Sequence, residues 1–90
     1  MQDDTFEWDD AKAASNFEKH HVTFGHARAA FDDPDSIDRD DPDPHEERSI
    51  RLCRDGQRVF VVVWTERNDR IRIISARRAN KHEQRTYYGR

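Results

Sequence analysis

Six consecutive apolar residues, Val59-Phe60-Val61-Val62-Val63-Trp64, leave this chain few ways to fold. In an extended strand alternate side chains point to opposite faces. Val59, Val61 and Val63 therefore oppose Phe60, Val62 and Trp64. A strand apolar on both faces must be covered on both, so residues 59–65 are expected at the centre of a sheet.

The neighbouring sequence supplies the rest of that sheet. Residues 48–54 alternate, with Ile50 and Leu52 on one face and Arg51 and Cys53 on the other, and Asp55-Gly56 then predicts a two-residue hairpin turn. A turn at 66–70 leads to a strand at 71–76. A helix over 78–88 follows, with Ala79, Glu83 and Tyr87 on one face. On the N-terminal side, residues 5–8 read as a short strand and Asp9 as the cap of a helix running to His20. In that helix Lys12, Asn16 and Lys19 form one stripe with His20 beside it, and Ala13 and Phe17 form the adjacent apolar edge. Thr23 caps a second helix that turns Phe24, Ala27 and Phe31 towards a core and stops before Pro34. The predicted class is α+β in one domain, residues 1–90. A short N-terminal strand and two helices precede a three- to four-stranded antiparallel meander and a C-terminal helix.

Composition limits how stable this can be. Leu, Ile, Val and Phe number 16 in 90 residues, and a chain this short buries only roughly 60–65% of the surface it exposes unfolded. A partner covering part of its apolar surface would add stability. No apolar run approaches a membrane span, the N-terminus carries acid where a secretory signal carries base, and Cys53 has no second cysteine to pair with. The expected compartment is the reducing cytoplasm.

The net charge of −3 conceals an asymmetry. Residues 1–47 carry 15 acidic and 4 basic side chains, whereas residues 48–90 carry 4 acidic and 12 basic, eleven of them arginine. Arginine's planar fork matches phosphate and carboxylate, so either a polyanionic ligand or internal neutralisation by the acidic half fits the pattern. The most acidic stretch, 32–47, holds nine acidic residues and three prolines and reads as a loop with a short edge strand near 36–39.

Three stretches taken in order resemble a known family. They are Phe6-Glu7-Trp8-Asp9 with Lys12-Ala13, Asn16 and Lys19-His20; Phe31-Asp32-Asp33-Pro34 with His45-Glu46-Glu47-Arg48; and Val61-Val62-Val63-Trp64-Thr65-Glu66-Arg67 continuing to Ile71-Arg72-Ile73-Ile74-Ser75-Ala76-Arg77-Arg78-Ala79, Glu83 and Tyr87. Together they are similar to the BrnT ribonuclease toxins. The resemblance implies a RelE-like fold, RNA cleavage in the cytoplasm, and a BrnA-like antitoxin that blocks the toxin and joins it in repressing their operon. Operator DNA would be met only through that complex, in a toxin–antitoxin heterotetramer, with a homodimer as the alternative assembly. Two positions depart from the family pattern. His21 stands where glycine usually follows the Lys-His pair, at a cost of about 1 kcal/mol if the backbone there is left-handed. His26 replaces the acid that would complete a capping box.

Cleavage through the 2′-hydroxyl needs a base, an acid and cations aimed at the phosphorus, with no metal or cofactor. The catalytic candidates are His20, which can move a proton, and Arg67 and Arg77 as phosphate clamps. Lys12, Lys19 and Arg72 are candidates for holding the RNA backbone. His45 and Glu47 are further candidates for orienting a proton transfer. Tyr87 reads first as packing against Ala76 and Ala79. A metal site has little support, because His20 and His21 point to different helix faces and no His-x-x-x-His or cysteine pair is present. The competing reading is a non-catalytic, arginine-rich module or corepressor that docks an acidic partner.

Overall fold

The computed structural model describes residues 1–42, 45 and 47–89. The chain passes through β1 (Phe6–Glu7), α1 (Asp10–His20), α2 (Phe24–Phe31), β2 (Ile37–Asp40), β3 (Ser49–Arg54), β4 (Val59–Arg67), β5 (Arg70–Arg78) and α3 (Lys81–Tyr88). This is the expected α+β class. The strands form one sheet in the order β1-β5-β4-β3-β2, with β4 at its centre. Strands β2 to β5 are an antiparallel meander, and β1 joins the far edge parallel to β5 through Phe6↔Ile71 and Glu7↔Arg72. The acidic stretch supplies β2, so the meander has four strands; residues 43, 44 and 46 of that stretch lie outside the described residues. Among the described residues no helix is long and apolar enough to cross a membrane.

Each helix is started by a side chain visible in the sequence. Asp9 accepts from Lys12 N at 3.0 Å, Thr23 Oγ1 from His26 N at 3.0 Å, and Asn80 Oδ1 from Glu83 N at 2.8 Å. Glu83 returns a bond to Asn80 N, closing a capping box. That box moves the start of α3 to Lys81 from the expected residue 78. Strand β5 runs on to Arg78, and Ala79 N still bonds to Val59 O. His21 ends α1 at φ 58°, the left-handed conformation its glycine-like position implies.

The hairpin turns differ from expectation. Asp55-Gly56 is not a two-residue turn: residues 55–58 form a longer loop in which Asp55 Oδ1 accepts from Gln57 N and Arg58 N, with Gly56 at φ 106°. The two-residue turn is Asn68-Asp69, with φ values of 53° and 61°, so that β4 extends to Arg67 and β5 begins at Arg70. Asparagine and aspartate tolerate the left-handed region better than other non-glycine residues, and two in succession build the mirror-image turn that suits the sheet twist.

Both faces of β4 are buried, as its double apolar pattern requires. Phe60 and Val62 pack under α1 and α2 with Phe6, Phe24, Phe31, Cys53, Ile73 and Ala76; Val59 and Val61 pack on the opposite face with Leu52, Ala79 and Tyr87. A bulge between Val63/Trp64 and β5 leaves Ile74 as an extra residue, because Val63 pairs with Ser75 while Trp64 pairs with Ile73. The bulge turns Ala76 to the α1 side. Tyr87 therefore packs with Ala79 but not with Ala76. Phe17 also departs from expectation: it is 47% exposed, edge-on to the His21 ring at 5.9 Å, and outside both cores.

Candidate active site

The site begins with an unfinished sheet edge. Strand β1 pairs with only two residues of β5, so among the described residues the outer backbone edge of β5 beyond Arg72 lacks a strand partner. Asn16 of α1 takes that place. Its Nδ2 donates to Ala76 O (2.8 Å) and Val22 O (3.1 Å), and its Oδ1 accepts from Ala76 N (3.1 Å). Of the polar stripe on α1, Asn16 is thus the buried member, 8% exposed, and fixes how the helix lies against the bulge.

The rest of the stripe lines the gap this leaves. Lys12, Ser15, Lys19 and His20 from α1 meet Ile74 and Ser75 at the bulge around an open groove of about 200 Å³. Three of the sequence candidates are brought together there.

Arg72, Ser75 and Arg77 follow one another on the face of β5 turned away from α1, opposite Thr65, Val63 and Val61. Arg72 Nη1 lies 3.5 Å from Glu7 Oε2, while Glu7 is 8% exposed and its Oε1 has no hydrogen-bond partner among the described residues. The guanidinium is loosely held. Arg77 is held tightly: both Nη atoms donate to the Glu83 carboxylate at 2.8 Å. That bidentate bond lowers the Glu83 pKa and raises that of Arg77. Arg77 thereby ties β5 to the capping box of α3. Arg67 is exposed at the end of β4 opposite Arg70, and pairing geometry puts it diagonally about 7–8 Å from Arg72 on the same face.

The remaining candidates lie elsewhere. Glu47 sits across β4 from Arg72, its carbonyl accepting from Thr65 Oγ1, and lines an acidic groove with Asp40, Asp41 and Glu66. His45 is exposed in the preceding turn. Tyr87 is buried, with its hydroxyl donating to Asp33. Among the described residues no group of three or more His, Cys, Asp or Glu side chains is placed to hold a metal ion.

Part of the charge asymmetry is cancelled internally. Asp38 takes Arg51 through two bonds of 2.7 Å, and Asp41 pairs with Arg48. Sequence reasoning did not single out Asn16, Ser75 or Glu7 for these places. Glu7 lies between Phe6 and Trp8, whose alternation puts it on the opposite face, but its burial against Arg72 depends on a parallel pairing that no local pattern signals.

Comparison with protein families matches residues 8–83 to the ribonuclease toxin BrnT of type II toxin–antitoxin systems. No curated protein matches the chain. The matched span begins just after β1 and runs into α3, so it includes Lys12, Lys19, His20, Arg67, Arg72 and Arg77. On that coverage, the chain belongs to the BrnT family of type II toxin–antitoxin ribonuclease toxins.

Proposed function

We propose that this toxin is a metal-independent endoribonuclease that cleaves RNA in the cytoplasm to stop translation and growth. Its centre is the outer edge of β5. The observation that carries the reading is the convergence of Lys12, Lys19 and His20 on Ser75 at the bulge, with Arg72 on the adjoining strand face. Two lysines and an arginine offer a phosphate three cations, and histidine is the side chain that takes and gives a proton near neutral pH. His20 takes the 2′-hydroxyl proton, and the 2′-oxygen bonds to phosphorus. The bond to the 5′-oxygen breaks, and that oxygen leaves with a proton from solvent or a lysine ammonium. Arg72, loosely paired with Glu7, is free to exchange that contact for a phosphate oxygen, and Arg67 extends the cationic face. Arg77, committed to Glu83, positions α3 and the end of β5.

A BrnA-like antitoxin would neutralise the toxin and form with it a heterotetrameric repressor of their operon. Growth arrest on expression, relieved by coexpressing the antitoxin, tests that pairing. For the chemistry, metal-stripped protein is incubated with total RNA in EDTA. Wild type should cut, and His20→Ala and Arg72→Ala should each lose at least 100-fold in rate while keeping the wild-type circular dichroism spectrum. Intact RNA after exposure to folded wild type refutes the enzyme and leaves the binding module.

A further inference from the structure

Besides the lysines of the cleavage groove, the ion pairs among the described residues leave a second basic region, at the end of the sheet where β3 finishes, β4 begins and β5 runs into α3. Tyr88, the last residue of α3, is 55% exposed at its centre. Three surface grooves meet on this ring. One carries Arg54 with Asp35, one Arg58 and Arg78, and one Lys81 and Arg85, and the charge of Asp33 also reaches Arg54. Among the described residues none of these five cations has a carboxylate within 4 Å, in contrast to Arg48, Arg51, Arg72 and Arg77. The ring is also held in place: it stands edge-on to buried Tyr87 at 5.0 Å, and the Arg54 guanidinium sits 5.9 Å from its centroid.

We propose that Tyr88 with Arg54, Arg58, Arg78, Lys81 and Arg85 is a binding site for single-stranded RNA. It grips the strand that flanks the cleaved phosphodiester. A half-exposed aromatic ring surrounded by cations matches an unstacked base with its neighbouring phosphates, because the ring stacks on the base while the cations take the backbone. Duplex nucleic acid offers no free base face to such a ring. Location agrees: Arg78 follows Arg72 by six residues, so at about 3.3 Å per residue the site lies roughly 20 Å along β5 from the loosely paired arginine of the cleavage groove. The bulge at Ile74 turns Arg78 to the face opposite Arg72, so a strand that occupies both crosses the outer edge of β5. The ligand class rests on the ribonuclease reading, but the contact does not require turnover.

The test is fluorescence anisotropy with a labelled 2′-O-methyl oligonucleotide, which cannot be cleaved, across 50–200 mM salt, using wild type, Tyr88→Ala and the double variant Arg58→Ala/Arg78→Ala. These side chains lie on the surface, and thermal unfolding verifies that each variant is folded. Tyr88→Ala should weaken binding about 10-fold with little change in the salt slope, whereas the double variant should flatten the slope by about 1.4, two phosphate contacts on a single strand. Cleavage of a ribose dinucleotide, too short to reach Tyr88, should be unchanged in all three. Failure of wild type to cleave any RNA while these affinity differences persist would sink the enzyme and preserve this site. Affinities within twofold of wild type for both variants would overturn it. So would polyglutamate displacing the oligonucleotide as well from Tyr88→Ala as from wild type, which marks a surface for acidic protein.

Discussion

Replacing Asn16 with alanine removes three hydrogen bonds at once and leaves both backbone polar groups of Ala76 and the carbonyl of Val22 without their partner. Each bond contributes about 1 kcal/mol net, so the loss is about 3 kcal/mol, and it approaches about 4 if water cannot reach the exposed edge of β5. A 90-residue domain unfolds with an entropy of about 190 cal/mol/K, so Tm should fall by about 16 °C. Thermal unfolding followed by circular dichroism measures the drop, and hydrogen exchange at the Ala76 amide localises it. Asn16→Asp sharpens the test. A carboxylate keeps an acceptor for Ala76 N–H but presents negative charge to two carbonyls, and protonation would restore one donor. The folded-state pKa of such a group is raised, so its stability relative to wild type should improve as pH falls and worsen as pH rises. A drop below 4 °C for Asn16→Ala, or no selective increase in exchange at Ala76, would refute the claim that this side chain completes the sheet edge.

Other perturbations follow from the same structure. His21→Gly, at a left-handed residue, should raise stability by up to about 1 kcal/mol, read as a higher urea midpoint; a lower midpoint would mean the Phe17 contact outweighs the backbone strain. Asp3 is lowered to about 2, by bonds from Phe6 N and Thr5 N before its Arg28 pair, and Asp55 is lowered by bonds from Arg58 N and Gln57 N before His26. Groups with depressed folded pKa values stabilise fully above the unfolded value, so this contribution should fade below about pH 4, down to pH 2 for Asp3, and Asp3→Asn should flatten the acid limb of a stability–pH curve. Burial pushes the Cys53 thiol to about 12, so its labelling by a disulfide reagent at pH 8 should track global unfolding; rapid labelling of the native protein would contradict its place in the core.

What was legible in the sequence had a local cause. Asp9, Thr23 and the alternation of Val59 to Trp64 act within a few residues of themselves, and the caps and central strand stand where they were expected. The bulge at Ile74 was not legible, since isoleucine there suits a regular strand equally well, and it alone decides which way Ala76 and Ser75 point. The turn within 66–70 was legible, but its two-residue left-handed form at Asn68-Asp69 was not, because the stronger glycine signal pointed to Gly56. The stripe Lys12, Lys19 and His20 could be read as one face of a helix, but not the strand edge it faces. Nor did charge counting separate arginines tied to carboxylates from the cluster around Tyr88, because the partners are distant in sequence: Arg72 pairs with Glu7, and Arg51 with Asp38.

The claim that this groove cleaves RNA through the 2′-hydroxyl is tested most directly by the ends it leaves. Wild-type protein, incubated in EDTA with a defined RNA, should yield 2′,3′-cyclic phosphate and 5′-hydroxyl termini, and should leave intact the same sequence carrying a single 2′-deoxy substitution at the cleaved position. Products bearing 5′-phosphate, or equal cleavage of the 2′-deoxy substrate, would contradict the account.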